Sequence, residues 1–405
     1  MRIKLVENYS TDIQDILKLS NSKNAYFISN WDKEESILNI NSDLIDKSIL
    51  NKEHINTYIM SKGLDKLKET IVDYLSDQNF KISKDYITIV SNGTSAAYIS
   101  ILQLFKCNAQ NFLCIGPIYF TYMHLFDIFH KKLYYYNINL FNNINIDFNE
   151  LKRELKYNNI DSIILIQPFF SSGINLEKSI LENLIQMCEE LHIYLLIDYV
   201  YGNMSWNEPT HIHNKKLIKL VTNSNYCILF ESISKRIFLN GIKNSIIFSS
   251  SKFINNINID SEICLGSISY IQESLLNTIY SSNNIQYINN HITNSLNYVS
   301  NNYKLLQTLL LNTDVSLCNS TCGYFTLMAI PKKYFKHDAD KYIMNELYKK
   351  TNVVTIPHSR YYYNSSDYYC FRINLATDTH TLLEAVEKIL HICSNSTYNN
   401  FCHIF

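Results

Sequence analysis

No run of apolar residues in this chain reaches the length of a membrane span, and the opening Met1-Arg2-Ile3-Lys4 leads into no signal-peptide core. A membrane partner is therefore not expected, and a cytoplasmic location is. Charge of one sign is also missing: 36 Lys and Arg stand against 37 Asp and Glu, a formal net charge of −1. Without a basic excess there is little to neutralise a phosphate backbone, so nucleic acid is not an expected partner. The 10 cysteines are scattered, none in Cys-x-x-Cys spacing, and only Cys318 and Cys322 come as close as four residues. Together with the missing signal, that pattern favours reduced thiols over a disulfide or zinc framework, and no metal site is expected. Repeats and low-complexity linkers are lacking as well.

What is present is enough apolar sequence for a sizeable core: 46% hydrophobic and 18% charged residues over 405 positions, room for two domains or for one large domain with a smaller partner. From about residue 85 to 250, short apolar runs alternate with helical stretches. Strands are predicted at 86–90, 112–115, 133–138, 163–166, 194–197, 226–230 and 245–248, with helices such as 95–105 and 179–191 between them. Repeated βα units predict a largely parallel sheet covered by helices. Residues 270–310 read as one long helix. Strands at 324–330 and 370–375 and helices at 338–349 and 379–392 predict a second, smaller α+β unit.

Chemistry-bearing residues follow several of these strands. Ser91-Asn92-Gly93-Thr94-Ser95 leaves a strand and opens a helix, where backbone amides make a ready anion site or, equally, an ordinary N-cap. Pro117-Ile118-Tyr119 offers an aromatic ring at the sheet's edge, or simple packing. Asp198 ends a strand and is followed by Tyr199, Val200 and Tyr201; it can pair with a protonated ring nitrogen or cap a loop. Lys235, in Glu231-Ser232-Ile233-Ser234-Lys235, emerges where a buried strand ends. An amine there can form a Schiff base with an aldehyde, although most lysines are solvated surface charges. The order and separation of the four signals carry more weight than any one of them.

Taken together these residues resemble the fold-type I pyridoxal-phosphate enzymes, and specifically the class I/II aminotransferase family, over about residues 51–376. The resemblance implies an α/β fold, with a mostly parallel central sheet in a large domain (46–280) and a smaller α+β domain made of 1–45 plus 281–405. It implies that Gly93, Thr94 and Ser95 cradle the cofactor phosphate together with Ser232, and that Tyr119 stacks on the pyridine ring. Asp198 corresponds to the partner of the ring nitrogen, Tyr201 to the tyrosine that bonds the 3′-oxygen, and Lys235 to the Schiff-base lysine. Tyr58, with Gly63-Leu64, resembles a tyrosine that reaches the phosphate of a neighbouring subunit, which implies a homodimer. Phe371-Arg372-Ile373-Asn374-Leu375-Ala376 resembles the motif whose arginine grips the substrate carboxylate, with Arg360 as the next candidate.

Two departures stand out. The family's Asn-Pro-x-Asn-Pro-Thr-Gly segment appears as Gln167-Pro168-Phe169-Phe170-Ser171-Ser172-Gly173, so Phe170 replaces the amide that bonds the 3′-oxygen. The phosphate-binding arginine eight residues after the lysine is Lys243, which keeps the charge and loses the bidentate geometry. The expected activity is transamination between an α-amino acid and a 2-oxo acid, with pyridoxal 5′-phosphate as cofactor. The departures keep a second reading open, in which the same chemistry oxidises, cyclises or eliminates from an amino acid in specialised metabolism. A catalytically silent binding homologue is the third, against which Lys235, Asp198 and Arg372 all argue. Two segments bear on the substrate. Tyr26, Phe27, Trp31, Asp32, Glu34 and Glu35 form either a pocket cover or a solvated helix start, and Tyr361-Tyr362-Tyr363 either line the entrance or lie on a surface loop.

Overall fold

Continuous apolar runs rather than alternating ones mark the strands of the central sheet, as expected where helices cover both faces. Every residue of Ile87–Val90, Ser162–Ile166, Cys227–Ser232 and Ser245–Ser249 is buried. The structure, a computed structural model, describes residues 3–7, 13–22, 24–33, 65–77, 80–142, 144–207, 215–266 and 268–394. In chain order its strands are β1 (Ile3–Leu5), β2 (Tyr26–Phe27), β3 (Ile87–Val90), β4 (Asn111–Ile115), β5 (Lys132–Tyr136), β6 (Ser162–Ile166) and β7 (Tyr194–Asp198). They continue as β8 (Cys227–Ser232), β9 (Ser245–Ser249), β10 (Ser316–Leu317), β11 (Phe325–Pro331), β12 (Val353–Val354) and β13 (Tyr368–Asn374).

Eight strands form the large sheet in the order β1-β5-β4-β6-β7-β8-β9-β3. From β5 to β8 all neighbours are parallel, whereas β9 runs antiparallel to both β8 and β3, and β1 antiparallel to β5. The fold is therefore α/β with a mixed, mostly parallel sheet. The edge strand β1 comes from the N-terminal segment, which thus touches the large sheet as well as the smaller one. That smaller sheet is antiparallel, in the order β10-β11-β13, and β2 pairs with β12 in a parallel two-stranded sheet. Because β2 joins Tyr26–Phe27 to Val353–Val354, the residues just after it are delivered to the end of β13.

The long helix predicted over 270–310 is corrected to two, Tyr270–Tyr280 and Ile285–Leu309. The break has a polar cause. Ser281 is extended, its hydroxyl donates to the Thr278 carbonyl (2.9 Å), and the Asn284 amide donates to the same carbonyl (2.8 Å), so side chains end the helix. Among the described residues no helix is long and apolar enough to cross a membrane.

Candidate active site

Parallel strands share a direction, so the loops that leave β4, β6, β7 and β8 emerge at one edge of the sheet, where open α/β sheets place ligands. Register fixes which loops are neighbours. Ile166 pairs with Asp198, Asp198 with Phe230, Ser232 with Ser245, and Ser245 with Val90. The turn at 91–95, the carboxylate at 198 and the lysine loop at 233–240 are thereby brought to the same end.

At the first of these, Asn92 caps the helix Gly93–Lys106: its Oδ1 accepts from the Ser95 amide (2.8 Å), and the Ser91 and Ser95 hydroxyls lie 3.0 Å apart. The amides of Gly93 and Thr94 precede the first intrahelical bond, an arrangement that could hold an anion. A Cβ on Gly93 would sit 3.7 Å from the Ser245 hydroxyl, which is buried and lacks a hydrogen-bond partner among the described residues. Both polar atoms of the Asn244 side chain are orphaned in the same way. Ser232 instead donates to the Asn244 carbonyl (3.3 Å), and the Asn244 amide donates to the Ser234 hydroxyl (2.8 Å). Lys243 is exposed in a left-handed turn (φ 48°), its carbonyl accepting from Gln272 (3.0 Å). No sequence pattern marks Ser245 or Asn244; register with Ser232 and Val90 is what singles them out.

Asp198 is buried at the tip of β7. Burial pushes its carboxyl up to about 7, opposed by the Tyr122 hydroxyl, which donates to Oδ2 (3.0 Å), and by the Val200 amide, 3.3 Å from Oδ1. A carboxyl held near neutrality accepts a proton-bearing ring nitrogen readily, because such a cation restores the charged form. Tyr122 lies one helical turn beyond Tyr119, and the two rings meet edge-on at 6.1 Å. Tyr119 owes its place to a tight turn: Gly116 has φ 86°, and a Cβ there would fall 2.7 Å from the Phe169 ring.

Lys235 sits in the one-turn helix Ile233–Arg236. Its Nζ lies 3.2 Å from Asn240 Oδ1 and 5.9 Å from the centre of the Tyr201 ring. The Tyr201 hydroxyl, its pKa raised by burial, is 3.4 Å from that of Tyr324, which donates in turn to Asn240 Oδ1 (3.3 Å).

Arg372, on β13, is fully buried; so are the other residues from Tyr369 to Asn374, both faces of the strand being covered. Its Nε donates to the Ser29 carbonyl (2.8 Å), and its guanidinium lies 4.2 Å from the Trp31 ring centre and 4.9 Å from that of Phe325. Both terminal nitrogens lack a partner among the described residues. Burial lowers its pKa, and the hydroxyls of Tyr361, Tyr201, Tyr324 and Tyr119 act in the opposite direction. A buried guanidinium in that state could accept a carboxylate. Arg360 is already paired with Asp15 (2.9 Å).

Near this guanidinium Phe170 packs between Tyr119 (5.2 Å), Tyr361 (4.9 Å, edge-on) and the stacked ring of His358 (6.1 Å). His358 Nε2 is 3.1 Å from the Phe170 carbonyl, which can only accept, so Nε2 carries the proton. Burial and the nearby Arg372 push the pKa of His358 down to about 3, so the ring is neutral. Its Nδ1 and the Tyr361 hydroxyl are buried without a partner among the described residues. Tyr361 and Tyr363 are buried and Tyr362 half-buried, while Asp32 is exposed. Tyr58, Gly63, Leu64, Glu34 and Glu35 lie outside the described residues.

The donor set suits the cofactor that the motifs imply. The Gly93 and Thr94 amides with Ser95, Ser232 and Ser245 could hold a phosphate, Asp198 a ring nitrogen, Tyr201 a phenolate oxygen, Tyr119 a ring face and Lys235 an aldehyde.

Comparison with known proteins gives the same direction. A family model described as aminotransferase class I and II matches residues 14–389. A tyrosine aminotransferase of Dictyostelium discoideum is 22% identical over 368 residues, covering 88% of this chain and 85% of that protein. Among solved structures, an aromatic aminotransferase from Pyrococcus horikoshii superposes with TM-score 0.75 at 16% identity, covering 95% of this chain and 99% of its own. A Thermus thermophilus aspartate aminotransferase double mutant gives 0.77 at 13% identity, with 94% of each chain covered.

Proposed function

Since the chain belongs to the class I and II aminotransferase family, we propose that it is a pyridoxal-phosphate-dependent aminotransferase whose amino-acid substrate carries an aromatic side chain. The observation that carries this reading is the buried guanidinium of Arg372, whose two terminal nitrogens lack a partner among the described residues and whose charge acts on Tyr201, while Tyr201 flanks Lys235. When bound, pyridoxal phosphate supplies an aldehyde that condenses with amines and a ring that takes up the electron pair left at Cα. Arg372 grips the α-carboxylate through its two open nitrogens. Asp198 would keep the ring nitrogen protonated, Tyr119 would support a face of the ring, and Tyr201 would donate to the ring oxygen. Lys235 would hold the aldehyde in the resting protein and, once its amine is free, would serve as the base for the Cα proton.

The aromatic preference rests on the rings packed near Arg372. Tyr119, Tyr361 and a neutral His358 all pack against Phe170, and the charge of Arg372 acts on both His358 and Tyr361. The tyrosine aminotransferase relative is consistent with that preference. Phe170 in place of a hydrogen-bonding amide favours the second reading, a non-transaminating reaction on the same substrates. Both are tested by scanning the absorbance of the cofactor-loaded protein against a panel of amino acids and identifying each product. Release of the 2-oxo acid from tyrosine, phenylalanine or tryptophan, with little response to aspartate or lysine, is expected. A product other than the 2-oxo acid favours the second reading, and a silent panel overturns both.

A further inference from the structure

Ile28 to Asp32 are laced to the end of β13 by backbone and side-chain bonds. The Asn374 amide donates to the Ile28 carbonyl (2.8 Å), and the Ser29 hydroxyl donates to the Arg372 carbonyl (2.5 Å) while its carbonyl receives Arg372 Nε. The Asn374 side chain reaches Asn30 Oδ1 (2.6 Å) and the Asp32 carbonyl. This strap sets the Trp31 ring against the guanidinium, whose two terminal nitrogens keep no partner among the described residues. Its second anchor lies on the lysine loop: Asn240 Nδ2 donates to the Trp31 carbonyl (3.0 Å). Asn240 comes back beside Lys235 because Phe238 is left-handed (φ 56°), with the Leu239 amide bonded to the Ser234 carbonyl (2.9 Å). The amide can face only one way. A carbonyl accepts and never donates, so Nδ2 must meet Trp31 and Oδ1 must meet Lys235 Nζ (3.2 Å) and the Tyr324 hydroxyl (3.3 Å).

We propose that Asn240 is a positioning residue that ties the amine of Lys235 to the strap over Arg372, so that capture of the substrate carboxylate and placement of the lysine base are set together. The inference rests on the aminotransferase reading above. Its chemistry suits an amide in particular. An amide oxygen takes one N–H of a neutral amine and leaves the lone pair free for the Cα proton, whereas a carboxylate in its place would hold Lys235 as an ammonium. The same amide's N–H group keeps the strap closed, and no acidic side chain could do both.

Asn240→Ala and the nearly isosteric Asn240→Asp test this in the cofactor-loaded protein. The readouts are Cα-hydrogen exchange of tyrosine in D2O by NMR, the isotope effect with α-deuterated tyrosine, and binding of 3-phenylpropanoate, which has the carboxylate and ring but no amine. Binding is followed by Trp31 fluorescence in a Trp206→Phe background, these being the 2 tryptophans of the chain. Asn240→Ala should slow exchange about 10- to 100-fold, with a larger isotope effect as proton transfer becomes limiting. It should also weaken 3-phenylpropanoate about 3- to 10-fold. Asn240→Asp, folded and cofactor-loaded, should impair exchange at least as much. Unchanged exchange and isotope effect in both variants, or loss of one readout without the other, would overturn the coupling. Absence of exchange with tyrosine, phenylalanine and tryptophan in the unsubstituted protein overturns the activity itself, and unchanged 3-phenylpropanoate binding in Asn240→Ala would then overturn the strap separately.

Discussion

The guanidinium carbon of Arg372 lies over the indole of Trp31, 4.2 Å from the ring centre, joining opposite ends of the chain. The contact shields one face of a buried cation and leaves its two-pronged edge for an anion. Arg372→Lys keeps the charge and loses the fork. It should weaken amino-acid binding by about 2–4 kcal/mol without altering the cofactor's absorbance, as read by spectral titration. Unchanged affinity would move the carboxylate site elsewhere.

Asp198 links protonation to cofactor binding. Folding raises its pKa from 3.8 to about 7, so between those values the folded chain without cofactor holds a proton that the unfolded chain has lost. That contribution is fully present below about pH 4 and is lost as pH rises through about 7. A cationic ring nitrogen beside the carboxylate favours the charged form and offsets the loss. The stabilising shift that cofactor binding gives in thermal denaturation should therefore grow between about pH 5 and pH 8, and flatten in Asp198→Asn. The same variant should slow Cα-proton exchange by orders of magnitude while still loading cofactor. A shift with the same pH dependence in both proteins would show that the carboxylate does not meet the ring.

The expected homodimer is tested through Tyr58. Mixing Tyr58→Phe with Lys235→Ala subunits should restore activity through hybrid dimers with one unaltered site, while each variant alone stays impaired. A fully active monomer in sedimentation would contradict it.

Local pattern made the sheet and its strand ends legible. Continuous apolar runs ending in Asp198 or in Ser232-Ile233-Ser234-Lys235 fall at one edge because parallel strands share a direction. Contacts between distant segments were not legible. Periodicity states which face of an element is apolar and not what covers it, so Trp31 over Arg372, Tyr122 on Asp198 and His358 on Phe170 emerge only from the fold. Ser245 needed strand register, since nothing in Ser245-Ile246-Ile247 distinguishes a site hydroxyl from a strand residue. The helix break was different. Ser281-Ser282-Asn283-Asn284 is a run of backbone-competing side chains, a local break signal set within helical pattern on both sides.

Reduction of the cofactor-loaded protein with borohydride, followed by peptide mapping, tests the central claim most directly. The pyridoxyl label should fall on Lys235, the amine 3.2 Å from Asn240 and 5.9 Å from the Tyr201 ring centre. A label on Lys243 or another lysine, or no label at all, would contradict it.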